Sequence, residues 1–358
     1  MAATSPAQLL DEIVHFLKRF VSYPNDADAF AHALWIAHTH IMEAWDSTPR
    51  LAFLSPEPGS GKTRALEVTE LLVPRPIESI NVSPAYLFRK VGDPDGTPTI
   101  LFDEIDTVFG PKARDNEELR GLLNAGHRRG ATAGRCVVKG KEIETEELPA
   151  YCAVAMAGLG KLPDTILSRS IVVKMKRRAL HETVEPFRRR IHSPDGHTLR
   201  DRLELWCESI GGTIMNPPPK MPIQITDRNA DVWEPLIAVA DAAGGRWPEL
   251  ARDAAVAHVA HIKEESPSLG VSLLADIKMS FRGDIRLPSR TLVARLNSMP
   301  EAPWAELDNK PLNQRRLAQL LKQYDISPKG IRVEGLTPRG YERSDFCDAW
   351  NRYLPPSR

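Results

Sequence analysis

Apolar residues near the start of the chain recur with a helical period. Leu9, Leu10, Ile13, Val14, Leu17 and Phe20 fall three and four positions apart, which predicts a helix over residues 6–21. Tyr23-Pro24 interrupts it, and a second helix is expected over 27–44. The pattern then changes. Leu51-Ala52-Phe53-Leu54, Thr99-Ile100-Leu101-Phe102, Tyr151-Cys152-Ala153-Val154-Ala155-Met156-Ala157 and residues 171–175 are short unbroken apolar runs. Such runs fit strands buried on both faces of a parallel sheet. Helical stretches fall between them at 64–72, at 83–91 with Ser83 as N-cap, and at 117–127. Residues 77–81 read as one more strand and Asp93-Pro94-Asp95-Gly96 as a turn. The alternation predicts an α/β core, a parallel sheet flanked by helices.

Toward the end of the core, 181–192 and 198–210 are amphipathic, and Asn216-Pro217-Pro218-Pro219-Lys220-Met221-Pro222 reads as the linker that closes it. Helices follow at 230–242, 247–261 with Pro248 near its start, and 269–281, which suggests a helical lid. The last seventy residues read as helix (289–298), helix (313–324), two short strands around a turn at 334–339, and a final helix capped by Ser344. That is the outline of a winged-helix module. The expected divisions are N-terminal helices 1–45, core 46–215, linker 216–225, lid 226–285 and winged-helix-like domain 286–358.

Composition adds little. Of 358 residues, 42% are hydrophobic and 26% charged, with formal net charge zero, so any nucleic-acid binding must come from a local patch. From Lys310 onward there are ten basic residues against five acidic ones, so that segment by itself carries an excess of positive charge. Cys136, Cys152, Cys207 and Cys347 have neither metal-ligand nor redox spacing and are expected to be reduced, buried thiols. The first residues lack a signal-peptide pattern, and no run approaches the ~20 apolar residues of a membrane span, so a soluble, cytoplasmic protein is expected.

The strongest chemical signal is Ser55-Pro56-Glu57-Pro58-Gly59-Ser60-Gly61-Lys62-Thr63, placed between a strand and a helix. There the backbone N–H groups of Gly59, Ser60 and Gly61 and the helix N-terminus face phosphate. Lys62 reaches the β- and γ-phosphates of ATP, and the Thr63 hydroxyl goes to Mg²⁺. Pro56 stands where the strict spacing has glycine, so the mouth of the loop is expected to differ while its cradle is kept. Some forty residues on, Asp103-Glu104 end an apolar run. Asp103 is placed to hold Mg²⁺, and Glu104 to orient and deprotonate the attacking water.

Other residues are weaker candidates. Tyr23 either stacks on the adenine or packs at a turn. Lys139-Gly140-Lys141 sits between two short strands, so this hairpin is either a solvated surface feature or a basic tip. Lys174, Lys176, Arg177 and Arg178 form either a solvated strand exit or a phosphate-facing group. His32, His38 and His40, like His258 and His261, lack the further ligands a zinc site needs. DNA contact by the last domain would fall to Arg315, Arg316, Lys322, Arg332 and Arg339.

Together these motifs resemble the AAA+ class of P-loop ATPases. The resemblance implies that the acid pair ends the strand next to the one before the glycine loop. It also implies that Arg169, in Leu167-Ser168-Arg169, completes the site of a neighbouring subunit in a ring, expected to be a hexamer. The hairpin before the Tyr151 strand resembles the pre-sensor hairpin of superfamily 3 helicases, whose basic tip grips single-stranded DNA in the channel. A polar sensor is expected at the end of that strand, but Ala157-Gly158 stand there, with Arg135 or Asn124 as substitutes. Arg228, Arg246 and Arg252 are candidates for the lid arginine.

The whole chain also resembles a family of phage and actinobacterial proteins that join such a core to a C-terminal domain of unknown function. The resemblance rests on Ala33-Leu34-Trp35, Thr39-His40, Pro49-Arg50-Leu51, Asn124-Ala125-Gly126-His127-Arg128-Arg129-Gly130, Leu162-Pro163-Asp164-Thr165, Pro303-Trp304, Gly340-Tyr341 and Asp345-Phe346. The expected function is an oligomeric, Mg²⁺-dependent, helicase-like ATPase in phage or mobile-element replication, working with other replication proteins and no membrane. The alternatives are an ATP-switched initiator or helicase loader, and a defence or signalling ATPase with a protein-binding C-terminal module.

Overall fold

The apolar runs lie side by side in one parallel sheet. The computed structural model describes residues 5–78, 83–109, 117–139, 142–160, 162–264, 269–299, 302–305, 307, 310–333 and 335–354. The chain divides into two compact units, Met1–Ala260 and His261–Arg358.

The first unit opens with α1 (Pro6–Phe20) and α2 (Asp26–His40), followed by β1 (Arg50–Ser55), α3 (Lys62–Glu70), β2 (Pro76–Glu78), α4 (Pro84–Val91), β3 (Thr99–Phe102), α5 (Asp106–Phe109) and α6 (Glu117–Ala125). It continues with the hairpin β4 (Thr132–Lys139) and β5 (Glu142–Pro149), then β6 (Ala153–Leu159), α7 (Asp164–Leu167), β7 (Ser170–Lys174), α8 (Arg189–Ile210), α9 (Arg228–Ala243) and α10 (Trp247–Glu264). Ser83 caps α4 as expected, accepting from the Tyr86 N–H. The expected 77–81 strand is seen as β2, and residues 79–82 lie outside the described ones.

Strand order is β2-β3-β6-β1-β7, parallel throughout, with Phe53 of β1 level with Ala157 of β6 and Val173 of β7. This corrects one expectation: the acid-pair strand β3 is not next to β1, because β6 pairs between them. Alternation along each strand separates two cores. Leu51, Phe53, Ala155, Ile171 and Val173 face a helical layer that includes α1, α2, α3 and α9. Ala52, Leu54, Ile100, Phe102, Val154 and Met156 face α4 and α6. Burying both faces explains why the strands read as unbroken apolar runs.

The histidines of α2 are core residues. The Tyr23 hydroxyl bonds His32 Nδ1 (2.6 Å), and His32 Nε2 bonds Thr69 Oγ1 (2.8 Å), which itself donates to the Ala65 carbonyl. His38 Nε2 meets Thr48 Oγ1 at 3.0 Å, and His40 Nε2 donates to the Leu72 carbonyl at 2.8 Å. Burial pushes their pKa values down to about 3, about 3 and about 4. Among the described residues no group of His, Cys, Asp and Glu is arranged to hold a metal by itself. Cys152 and Cys207 are buried, as expected, but Cys347 is exposed, which corrects that expectation; the Cys136 side chain lies outside the described ones.

The second unit contains α11 (Leu269–Phe281), β8 (Arg286–Pro288), α12 (Ser289–Asn297), α13 (Gln314–Lys322), β9 (Lys329–Gly330), β10 (Arg339–Glu342) and α14 (Cys347–Tyr353). Its sheet is antiparallel with order β8-β10-β9. The expected two-stranded ribbon therefore gains a third strand, β8, whose three residues are too few to show a period. Leu273, Ile277, Phe281, Leu292, Trp304 and Trp350 form its own core. The Trp350 indole donates to the Leu274 carbonyl and the Trp304 indole to Asp276. The 226–285 segment is thus shared: α9 lies in the first unit and α11 in the second.

Candidate nucleotide site

Three strands deliver the site at their C-terminal ends. After β1 the chain turns through Gly59 (φ 78°) and Gly61 (φ 85°), left-handed conformations that glycine adopts without penalty. The second turn aims the N-terminus of α3 back over the sheet. Ser60 and Lys62 are buried in this turn. Lys62 Nζ donates to Ser55 Oγ (2.6 Å) and Ser60 Oγ (3.2 Å), so the ammonium is held by hydroxyls and carries no ion pair among the described residues. Burial lowers its pKa, while the charges of Asp103 and Asp106 oppose that fall. A cation so held gains by meeting an anion. Pro56 sits in the exposed mouth of the loop. There the Pro58 carbonyl accepts from Arg177 Nε at 2.9 Å.

Asp103 follows β3. Its Oδ2 accepts from Thr63 Oγ1 (2.8 Å) and its Oδ1 from the Glu104 N–H (2.9 Å). A hydroxyl and a carboxylate oxygen side by side are a hard-oxygen pair of the kind Mg²⁺ takes together with phosphate and water. Glu104 has φ 54° and an exposed side chain. A left-handed glutamate costs ~1–3 kcal/mol, a strain that concentrates at functional sites.

Sequence reasoning missed Asp106. Its Oδ1 accepts from the Leu159 N–H at the end of β6 (2.9 Å). A Cβ on Gly158 would stand 2.7 Å from Ile105 Cγ2 and 2.9 Å from Asp106 Oδ1. The polar group at this strand end is thus the Asp106 carboxylate, and glycine is what admits it. The signal was present as the acid three residues after Asp103. Of the substitutes, Asn124 lies at the other end of the sheet, next to the Gly126 carbonyl that receives Cys152 N–H just before β6. The Arg135 side chain lies outside the described ones.

A cleft of about 300 Å³ opens beside Gly59–Gly61. Arg64 and Arg178 line it, and Phe20, Val21 and Phe187 form its apolar end. The Phe20 and Phe187 rings meet edge to face at 5.1 Å, and the Arg64 guanidinium lies 4.9 Å from the Phe187 centroid. Tyr23 is not in its wall; with its hydroxyl on His32 it packs against the core, so the turn reading replaces the adenine reading. None of the three lid-arginine candidates lines this cleft. Arg246 pairs with Asp11 (2.8 Å), Arg252 pairs with Asp241 (2.6 Å), and Arg228 lines a different cleft. Arg178, just past β7, does line the cleft beside Gly59–Gly61.

Arg169 precedes β7, at the N-terminal end of the strands, where its Nη1 donates to the Thr165 carbonyl (3.0 Å). It lies across the sheet from its own phosphate loop. Lys139 ends β4 opposite Glu142, the position of its side chain lies outside the described ones, and so does Lys141 altogether. In the second unit Arg315, Arg316, Lys322, Arg332 and Arg339 are all exposed, and Arg339 donates to the Pro328 carbonyl at 2.9 Å. By contrast Lys329 is neutralised by Glu342 and Asp345, and Arg352 by Asp348. No helix among the described residues is long and apolar enough to cross a membrane.

Residues 174–353 match a family described as "Protein of unknown function (DUF3631)". That span starts at the last residue of β7, so the phosphate loop lies ahead of it. The chain is 41% identical over 183 residues to an uncharacterized 28.9 kDa protein in the xis 5′ region of Saccharopolyspora erythraea, covering 51% of this chain and 69% of that protein. Two solved structures are similar at low scores. An apo form of the NrS-1 C-terminal region has TM-score 0.42 and 12% identity, over 92% of this chain and 74% of that one. The SCCmec type IV Cch active helicase has TM-score 0.39 and 9% identity, over 94% and 68%. Scores of this size carry nothing about chemistry.

Proposed function

The chain belongs to the DUF3631 family of proteins of unknown function, and from the geometry of its own phosphate loop we propose a Mg²⁺-dependent ATPase that acts on DNA as an oligomer, with helicase-like motor action. The observation that carries the reading is the convergence of Lys62, the Thr63–Asp103 pair and the exposed, left-handed Glu104 at one end of a parallel sheet. A nucleotide would lie with its phosphates on the Gly59–Thr63 backbone and its base in the apolar end of the cleft, against Val21 and Phe187. Lys62 would exchange its two serine partners for phosphate oxygens. Thr63 and Asp103 would hold Mg²⁺, which neutralises charge on the phosphates when bound. Glu104 would accept a proton from the attacking water. Arg169, directed away from its own site, suits completion of a neighbour's, as in a hexameric ring.

The second unit has the element order of a winged-helix module, and exposed Arg315 and Lys322 on α13 suit a DNA backbone. That surface favours a second reading, an initiator or loader that binds DNA without unwinding it. ATPase assays with and without single-stranded DNA, run beside forked-duplex unwinding, separate the two. A motor shows DNA-stimulated hydrolysis and unwinding, both lost in Lys62→Ala. A loader binds DNA with ATP in the Glu104→Gln form and never unwinds. Hydrolysis absent from the wild type under every condition overturns both.

A further inference from the structure

The opposite end of the same sheet holds a second concentration of positive charge. A cleft of about 350 Å³ there is lined by Arg128, Arg169 and Arg228, with Ser47 and Thr48 between them. Four stretches far apart in sequence meet at it: Asp46–Pro49, His127-Arg128, Arg169 and the start of α9. The backbones of the first three are tied together. Arg50 N–H donates to the Arg169 carbonyl (2.9 Å), Thr48 N–H to the His127 carbonyl (2.8 Å), and Ser47 bridges Arg128 as an isolated antiparallel pair. The wall is therefore built, not a chance crossing of loops.

Behind it lies Arg50, 1% exposed, whose guanidinium donates only to carbonyls, those of Cys152 and Leu123. Gly126 packs against it: a Cβ there would clash with the Ala150 carbonyl oxygen and stand 3.1 Å from Arg50 Nη2. His127 is held neutral, its pKa pushed down to about 4 by burial and then by the charges of Arg169, Arg50 and Arg128. Asp46 and Asp231 also line the cleft, yet neither pairs with any of its three arginines among the described residues. The Arg128 and Arg228 side chains are exposed and have no partner among the described residues. The positive end of the α9 backbone dipole adds to the field, since Arg228 is the first residue of that helix. Three guanidinium groups lining one small space suit a multiply charged tetrahedral oxyanion better than a single carboxylate.

We propose that this cleft is a second phosphate-binding site, in which Arg128 and Arg228 act beside Arg169. The phosphate comes from one of two sources: the terminal phosphate of a nucleotide on a second copy of the chain, or a free polyphosphate anion. The first source rests on the ATPase reading, and the second does not.

The full chain tests it in two arms. In the first, tripolyphosphate is titrated calorimetrically into Lys62→Ala, whose phosphate loop is disabled, and into Lys62→Ala/Arg128→Ala/Arg228→Ala. Binding at one site per chain, weakened at least tenfold in the triple variant, establishes a free-anion site. In the second, Lys62→Ala and Arg128→Ala/Arg228→Ala subunits, each impaired alone, are mixed and assayed for ATP hydrolysis. Recovery on mixing assigns the phosphate to a neighbour's nucleotide. Arg128→Lys/Arg228→Lys controls for fold and charge, and keeps part of the function if the site is real. Equal tripolyphosphate binding in both proteins of the first arm, with full activity of unmixed Arg128→Ala/Arg228→Ala, overturns the proposal. If the wild type hydrolyses no ATP, the ATPase reading fails, and the calorimetric arm alone decides this one.

Discussion

The two ends of the central sheet each bury a cation, and they do so in different ways. At the C-terminal end Lys62 is bonded to two serine hydroxyls that can rotate away, with Asp103 and Asp106 near enough to raise its pKa. At the N-terminal end Arg50 is bonded to two backbone carbonyls that cannot move without moving α6 and β6. The first arrangement is exchangeable and suits a ligand. The second is permanent and suits architecture. A buried charge alone does not mark a site; the kind of partner it has does.

This contrast makes ordered predictions. The largest effect is expected from Lys62→Ala: nucleotide binding and hydrolysis fall by at least ~100-fold, while urea unfolding stays where it was or moves slightly up. Next is Arg50→Met, which leaves two buried carbonyls without donors and costs ~3 kcal/mol in the urea unfolding of the chain. If Arg50→Met instead abolishes hydrolysis at unchanged stability, the distinction between the two cations is wrong.

Asp106→Asn keeps the acceptor for Leu159 N–H and removes only charge. Lys62 then loses one of the groups that hold its pKa up, so the alkaline limb of the activity profile moves to lower pH, with kcat at neutral pH down by less than ~10-fold. An unshifted limb would separate Asp106 from Lys62. The smallest effect is expected from Tyr23→Phe, which loses the hydrogen bond to His32 and ~1 kcal/mol of stability, with nucleotide affinity unchanged. A tenfold loss of affinity would restore the adenine role to Tyr23.

What the sequence revealed followed the range of the interactions involved. The turn from β1 into α3 is local: two glycines, a lysine and a threonine within five positions, each with a backbone or side-chain reason to be there. The same holds for Asp103-Glu104. The order of strands is not local. That β6 pairs between β1 and β3 depends on residues fifty to a hundred positions apart, and an apolar run does not declare its neighbours. Arg50 was illegible for a related reason: an arginine opening an apolar strand looks like a surface residue until Gly126 and the carbonyls of Leu123 and Cys152 close around it. The lid candidates could not be separated in the sequence, because the partners Asp11 and Asp241 of Arg246 and Arg252 are chosen by the fold; Arg178, read as either a solvated strand exit or a phosphate-facing residue, lines the cleft beside Gly59–Gly61.

The buried histidines of α2 set a lower bound on the pH at which the first unit stays folded. Their ordinary pKa is 6.5, and folded they stand at about 3, 3 and 4. The unfolded chain takes up protons that the native one refuses, so this contribution is whole above 6.5 and is lost as pH falls through the window between those values. One pH unit below 6.5 the three together withdraw roughly 4 kcal/mol, a large share of the ~5–15 kcal/mol that holds an ordinary domain. Mild acid thus acts as a denaturant aimed at α2, the helix whose histidines bond Thr48, Thr69 and Leu72.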